Sequence, residues 1–378
     1  MKNVPNLRFS GFSDEWEEAK LEKNIEYVSS GKTKVKSEKG KYKVFGSTGI
    51  IGYTDVPDYE GEHILIARVG ANAGYINKIN EECGISDNTL VLKCNNNLNN
   101  DFLAYKLDEY KLSRLIFGSG QPLITGGQIK DLKFKLPIII EQEKIANFLT
   151  KVDKLIEKQD EKVNNLEQYK KGMMQKIFSQ EIRFKNDDGG EYPEWKYNKL
   201  GKITKLTDGV HFTPEYVESG VPFWSVETIV SNVEPKYITE EAHQLAIKRC
   251  HPQKDDILIT RIGTLAKSIV IADDKDISIY VSVALIKSSN KFNSTYLKQY
   301  FDSEEYYKEF LSKSLLTATP KKINMEDLKD TIVKLPCLEE QTKIANFLSK
   351  IASIVEKEKE KLEELRQWKK GLLQGMFI

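Results

Sequence analysis

Residues Ile140–Lys151 read IEQEKIANFLTK, and residues Glu339–Lys350 read EEQTKIANFLSK, the same phrase 199 positions further on. The likeness extends both ways: Leu136–Phe178 aligns with Leu335–Phe377 without a gap, with 22 identities in 43 positions. That distance is far too long for a solenoid repeat and suits a whole domain plus a connector. The flanking blocks echo each other more loosely, in the same order. NLRFSGFSDEWEEAKLEK (Asn6–Lys23) is answered by EIRFKNDDGGEYPEWKYNKLGK (Glu181–Lys202), and GEHILIARVG (Gly61–Gly70) by KDDILITRIG (Lys254–Gly263). DFLAYKL before LKFKLP finds its partner in TYLKQYF before TIVKLP. Four segments result: variable block 1–137, shared segment 138–180, variable block 181–336 and shared segment 337–378.

The shared segments have helical periodicity. Apolar residues fall at Ile145, Leu149, Val152, Ile156, Val163 and Leu166 in the first, and at Ile344, Leu348, Ile351, Val355, Leu362 and Leu365 in the second. Met173, Ile177, Leu372 and Met376 continue the series, while Gln159 or Glu358 and Lys170 or Lys369 fill the skipped places. Steps of four and three make a heptad seam, which buries a narrow stripe against another helix. Pro137 and Pro336 end the preceding strands. From Glu141 to about Phe178 the helix runs roughly 38 residues, or about 57 Å. Each helix could pack on its own domain or form a dimer zipper. Two equal helices in one chain more economically pack on each other, antiparallel, with a variable domain at each end of the rod. The expected fold class is α+β: two mixed α/β domains separated by an antiparallel coiled coil, with a pseudo-twofold internal repeat.

A chain of 378 residues suits two domains with separate cores, and 40% hydrophobic residues with 10% aromatic is a globular composition. No apolar stretch is long enough for a membrane span, and the polar start MKNVPNLRFS is unlike a signal peptide. The cysteines (Cys83, Cys94, Cys250, Cys337) form no CxxC pair, and Cys250-His251 alone is no metal-ligand set. A cytoplasmic location is expected. Net charge is +1, and each of the four segments lies between −2 and +1. A protein that binds nucleic acid tightly on its own is usually more basic.

The variable blocks read as mixed α and β. Strands are expected at Ile64–Val69, Leu90–Lys93 and Leu132–Leu136, with a helix near Asn100–Phe117. The second block gives Ile257–Ile262, Tyr280–Ile286 and Ile332–Leu335, with a helix near Ser294–Lys313. Loops rich in glycine and small polar residues lie between: FGSTGIIGY (Phe45–Tyr53), VGANAGY (Val69–Tyr75), FGSGQPLITGGQ (Phe117–Gln128), TDGVHFTPEY (Thr207–Tyr216), IGTLAKS (Ile262–Ser268) and LLTATPKK (Leu315–Lys322). Loops on a rigid scaffold are where binding residues concentrate. Catalytic motifs are missing: no glycine-rich dinucleotide or P-loop fingerprint, no Asn-Pro-Pro-aromatic run, no nucleophile elbow at Gly118–Gly120. Pro57-Asp58 and Glu109-Tyr110-Lys111 are too far apart for a nuclease signature, and the four histidines show no ligand spacing.

The duplicated LP…EQ.KIANFL…KKG…Q.IF motif, alternating with variable blocks, closely resembles the specificity subunits of type I restriction-modification systems, over essentially the whole chain. The variable blocks add Arg-Phe…Glu-Trp, ILI.R.G and GSGQP. The resemblance implies that residues 1–137 and 181–336 are target recognition domains, each reading half of a bipartite double-stranded DNA sequence. It implies that the spacer helices set the unread gap. Two methyltransferase subunits would bring S-adenosylmethionine and methylate adenine, and restriction subunits would add ATP- and magnesium-dependent translocation and cleavage. The chain itself would be non-catalytic and bind no cofactor. Partner subunits that supply phosphate contacts would account for the neutral charge.

Bases are read by side chains that reach their edges: Arg or Lys to guanine, Asn or Gln to adenine. Candidates in the first block are Ser47, Thr48, Arg68, Asn72, Ser119 and Gln121, with Lys41 and Lys43 on phosphates. In the second they are His211, Thr213, Trp224, Arg261, Lys267, Thr319, Lys321 and Lys322. Arg68 and Arg261 suit structural ion pairs equally, and Trp224 suits a core. Two other functions remain: a lone two-domain DNA-binding regulator, which the low charge disfavours, and a coiled-coil adaptor that does not touch nucleic acid.

Overall fold

The apolar runs in HILIA and ILIT become central strands whose alternate side chains enter two different cores. The computed structural model describes residues 4–34, 37–46, 48–116, 122–231 and 233–378. In strand Glu62–Ala67, Ile64 and Ile66 join the core beneath helix Asn100–Tyr110, and Leu65 joins a smaller core with Phe45, Cys83, Ile85 and Val91. In strand Ile257–Thr260, Ile257 and Ile259 face one core and Leu258 the other, with Cys250, Ile279 and Leu285. A strand covered on both faces loses its polar alternation, hence the unbroken apolar spelling.

The chain divides into two compact units, Met1–Glu161 with Lys359–Ile378, and Lys162–Glu358. Each takes in part of both long helices, which span Ile139–Phe178 and Leu338–Met376.

In the first unit an antiparallel sheet runs Ile25–Ser30, Thr89–Cys94, Glu62–Ala67, Ile76–Asn80, beside a three-stranded sheet of Gly49–Thr54, Tyr42–Gly46 and Gly84–Ile85. Strand Lys133–Leu136 pairs with Glu17–Lys20, a strand not expected from the sequence. The FGSTGIIGY stretch, expected as a loop, forms most of a hairpin, Tyr42–Gly46 against Gly49–Thr54. Helix Asn100–Tyr110 starts on the Asn99 side chain, which accepts from Phe102 N, and stops at Lys111 with φ 59°, short of the expected Phe117.

In the second unit the corresponding sheet runs Leu206–Asp208, Val283–Ile286, Ile257–Thr260, Ser268–Val270. A further sheet orders Tyr216–Val217, Lys236–Ile238, Val221–Trp224, Ser278–Ile279, and Lys196–Lys199 pairs with Ile332–Leu335. The expected helix Ser294–Lys313 is two, Ser294–Phe301 and Glu304–Ser312, because the Ser303 side chain caps the second.

The repeated motifs join each variable block to its long helix. Glu141 accepts Arg8 Nε and Nη2, both at 2.8 Å, and Glu340 accepts Arg183 Nε at 3.3 Å and Nη2 at 2.9 Å. Gln142 Nε2 donates to Pro137 O at 2.8 Å and Gln341 Nε2 to Pro336 O at 2.9 Å. Their Oε1 atoms accept Asn99 N at 3.0 Å and Asn293 N at 2.8 Å. Phe148 meets Phe9 edge-on at 5.6 Å and Phe347 meets Phe184 at 5.5 Å.

Along the seam, Ile145, Leu149, Val152, Val163, Ile344, Leu348, Ile351, Val355 and Leu362 are buried, and Ile156, Leu166 and Leu365 half-buried. The helices run antiparallel. Asp153 pairs with Lys369 at 2.7 Å, Asp160 with Arg366 at 2.9 Å and Lys162 with Glu358 at 2.7 Å, so partners descend as the first helix ascends. Phe377 packs on Trp16 and Phe102 in the first unit, and Phe178 on Tyr296 and Tyr300 in the second. Each core is therefore closed by the end of a long helix.

Candidate nucleic-acid interface

Each unit contains the same backbone corner at an arginine. In the first, Arg68 N donates to Asn88 O at 3.1 Å, Ile124 N to Arg68 O at 2.9 Å and Gly70 N to Pro122 O at 3.2 Å. In the second, Arg261 N donates to Ser282 O at 2.9 Å, Ile323 N to Arg261 O at 2.9 Å and Gly263 N to Lys321 O at 2.8 Å. Gly70 (φ 80°) and Gly263 (φ 84°) turn the chain in the left-handed region, where a side chain would strain it. Three loops thus converge on each arginine from strand ends, a rigid base for residues that read a ligand.

The two side chains differ. Arg68 is half-buried, and its Nη1 donates to Ser30 Oγ at 2.8 Å while its buried Nε has no partner among the described residues. The guanidinium of Arg261, expected at a base edge, is 7% exposed and turned into the protein. Its Nε donates to Ile323 O at 3.2 Å, and its Nη1 to Val281 O at 2.9 Å and to Asp208 Oδ2 at 3.5 Å. Burial lowers its pKa and the Asp208 charge opposes this. A buried cation must be paired and hydrogen-bonded, which Asp208 and two carbonyls achieve.

Asp208 also accepts Arg249 Nη2 at 2.5 Å and His211 Nε2 at 2.9 Å. Burial pushes its carboxyl upward, but hydrogen bonds from Arg249 and His211 outweigh this and hold it below the usual carboxylate range. The His211 and Arg249 side chains remain 60% and 53% exposed. Sequence reasoning missed Arg249; its signal was the basic pair Lys248-Arg249, next to a Cys-His pair weighed only for metal.

Of the remaining candidates, Lys267 and Lys321 adjoin the Arg261 corner, through Thr260 Oγ1 and Gly263 N respectively. In the second unit Thr213, Lys267, Thr319 and Lys321 are exposed and Lys322 is half-buried, its carbonyl accepting Leu315 N at 2.7 Å. Trp224 is half-buried against the core of Cys250 and Leu258, and its carbonyl accepts Tyr280 N at 2.9 Å. A cleft of about 420 Å³ opens between Gly263, Pro320, Tyr280, Phe223 and Tyr216, with Lys236 Nζ 4.4 Å from the Tyr216 ring centre. In the first unit Asn72 and Thr48 are exposed, Thr48 at the tip of the hairpin. Lys41 Nζ donates to Tyr42 Oη at 2.7 Å, and Lys43 pairs with Glu81 at 3.0 Å. Ser47, Ser119 and Gln121 lie outside the described residues. Among the described residues no cluster of three or more His, Cys, Asp or Glu is placed to hold a metal ion, and no helix is long and apolar enough to cross a membrane.

The family described as Type I restriction modification DNA specificity domain matches residues 13–168 and again 192–367. The type I restriction enzyme MjaVIII specificity subunit of Methanocaldococcus jannaschii is 29% identical over 334 residues, covering 82% of this chain and 77% of that one. The EcoprrI specificity subunit of Escherichia coli is 32% identical over 120 residues, 32% of this chain and 30% of that one. The crystal structure of a type I restriction-modification S subunit from M. genitalium shares the fold, with a TM-score of 0.67, 16% identity and 99% of each chain covered. With two family matches that together span most of its length, the chain belongs to the type I restriction-modification DNA specificity family.

Proposed function

We propose that this chain is the sequence-reading subunit of a type I restriction-modification assembly and recognises a bipartite DNA target with an unread spacer. The observation that carries the reading is the paired construction: two arginine corners on matching backbones, surrounded by different side chains. One chain so built offers two distinct reading surfaces. Two adenine methyltransferase subunits would dock on it and bring S-adenosylmethionine, and restriction subunits would use ATP and magnesium. The chain contributes recognition and no catalytic step. With net charge +1, it should bind DNA weakly by itself and transfer no methyl group without partners.

Long-read sequencing of methylated bases tests this in cells carrying the methyltransferase subunit with and without this chain. The expected result is an adenine-methylated motif of two short half-sites, present only with the chain. A pattern indifferent to the chain, or methyl transfer by the purified chain alone, overturns the reading.

A further inference from the structure

The two corners match strand for strand, and one position beneath the arginine differs in charge. Ser30 pairs with Leu90, next to Ala67 opposite Thr89; Asp208 pairs with Ala284, next to Thr260 opposite Val283. Ser30 and Asp208 therefore occupy the same position beneath the arginine, and only the second is a carboxylate. In the first unit, among the described residues, Arg68 keeps one side-chain hydrogen bond and a buried Nε without a partner. In the second, Arg261 is consumed by the frame, and the same carboxylate holds Arg249. Arg249 follows helix Glu240–Ile247, while in the first unit the stretch between strands Gly49–Thr54 and Glu62–Ala67 contains no helix.

We propose that the two half-sites are read by guanidinium groups from non-equivalent positions, Arg68 in the first and Arg249 in the second, with Asp208 positioning Arg249 on a guanine edge. This rests on the proposed DNA-reading function. The argument for a base rather than a phosphate is the cost of the arrangement. Asp208 neutralises one of the two arginine charges beside it, which weakens attraction to a phosphate. In return it fixes the plane of the guanidinium through one hydrogen of Nη2, and Arg249 Nε and Nη1, on opposite sides of that plane's axis, take no partner among the described residues. The second hydrogen of Nη2 with one of these neighbours makes a parallel donor pair, a fork in fixed orientation, which matches guanine O6 and N7. His211, on the same carboxylate, stands beside that fork, with Nε2 3.2 Å from Arg249 Nη2.

The test is the methylated motif written by the full chain together with its methyltransferase subunits, for the unsubstituted protein, Arg249→Ala, Arg249→Lys and Arg68→Ala. Arg249→Ala should leave the first half-site intact and reduce the preference for guanine at one position of the second by about ten- to hundred-fold. Arg249→Lys, which keeps the charge and loses the fork, should behave the same way. Arg68→Ala should relax one position of the first half-site alone. An unchanged second half-site in Arg249→Ala overturns the proposal. So does a uniform loss of methylation at every site with the fold intact by circular dichroism, since that is the behaviour of a phosphate anchor or a frame residue. If the unsubstituted chain writes no bipartite motif, the broader reading fails first, and the two failures are distinct.

Discussion

Arg8 and Glu141 form a two-point ion pair, Nε to Oε1 and Nη2 to Oε2 at 2.8 Å each, with the carboxylate 1% exposed. Its counterpart, Arg183 with Glu340, has an additional donor, Trp195 Nε1 at 3.1 Å, whereas Trp16 Nε1 is buried without a partner among the described residues. Removing one partner leaves a buried charge exposed to the full desolvation cost. Arg8→Ala should lower stability by about 3 kcal/mol. Arg183→Ala also removes the donor to Tyr192 O and Pro193 O, but leaves Glu340 the Trp195 donor; adding Trp195→Phe to Arg183→Ala should cost roughly 1 kcal/mol more. Urea unfolding of the variants compares them; no further loss in the double variant would show that the indole contributes nothing.

Phe377 is 5% exposed and packs on Trp16 and Phe102, residues more than 270 positions earlier. Phe377→Ala should cost about 3–5 kcal/mol. Hydrogen exchange should accelerate in Asn100–Tyr110 and not in Ser294–Phe301. Phe178→Ala should do the reverse, since Phe178 packs on Tyr296 and Tyr300. Uniform acceleration in both helices would contradict separate cores.

His63 supplies a pH dependence. Burial lowers its pKa, and the hydrogen bond to Gly61 O opposes the effect; Lys93 lowers it further and Glu26 raises it. With Nδ1 donating to Gly61 O at 3.2 Å, Nε2 accepts Tyr27 Oη at 2.7 Å, an arrangement that fits the neutral ring. Below the ordinary histidine value of about 6.5 the unfolded chain takes up a proton that the folded chain refuses. Stability therefore falls as pH drops through that value toward the lowered one. The unfolding midpoint should decline between pH 7.5 and 5.5, and His63→Gln should flatten the slope; an unchanged slope would assign the dependence elsewhere.

A matched insertion of one heptad into each long helix should preserve the seam, adding about 10 Å at 1.5 Å per residue. The methylated motif should gain about three base pairs of spacer with both half-sites unaltered. The same insertion in one helix should abolish pairing and methylation. An unchanged spacer in the matched variant would show that the helices do not set it.

The seam was legible because heptad periodicity depends only on spacing, and Leu149 or Leu348 reads as buried without knowing its partner. The arginine corner was legible as ILIARVG and ILITRIG. That Arg261 is buried was not, because the decisive neighbour, Asp208, lies 53 positions away and meets it only through sheet register. Arg249 was hidden for a similar reason: in sequence it adjoins Cys250, in space it adjoins His211. Phe45–Tyr53, part of the Tyr42–Thr54 hairpin, reads as a loop because its glycines outweigh the apolar residues Phe45, Ile50 and Ile51 that flank them.

The closing of each core by a helix end orders events on the ribosome. The second unit needs nothing beyond Glu358, whereas the first, whose block is made earliest, awaits residues from Lys359 onward. At roughly 5–20 residues per second, Phe102 spends about 14–55 s without Phe377 while 275 further residues are synthesised, and Trp16 waits longer. The half made first is the half finished last, and during that interval its aromatic residues are open to any chaperone that binds them.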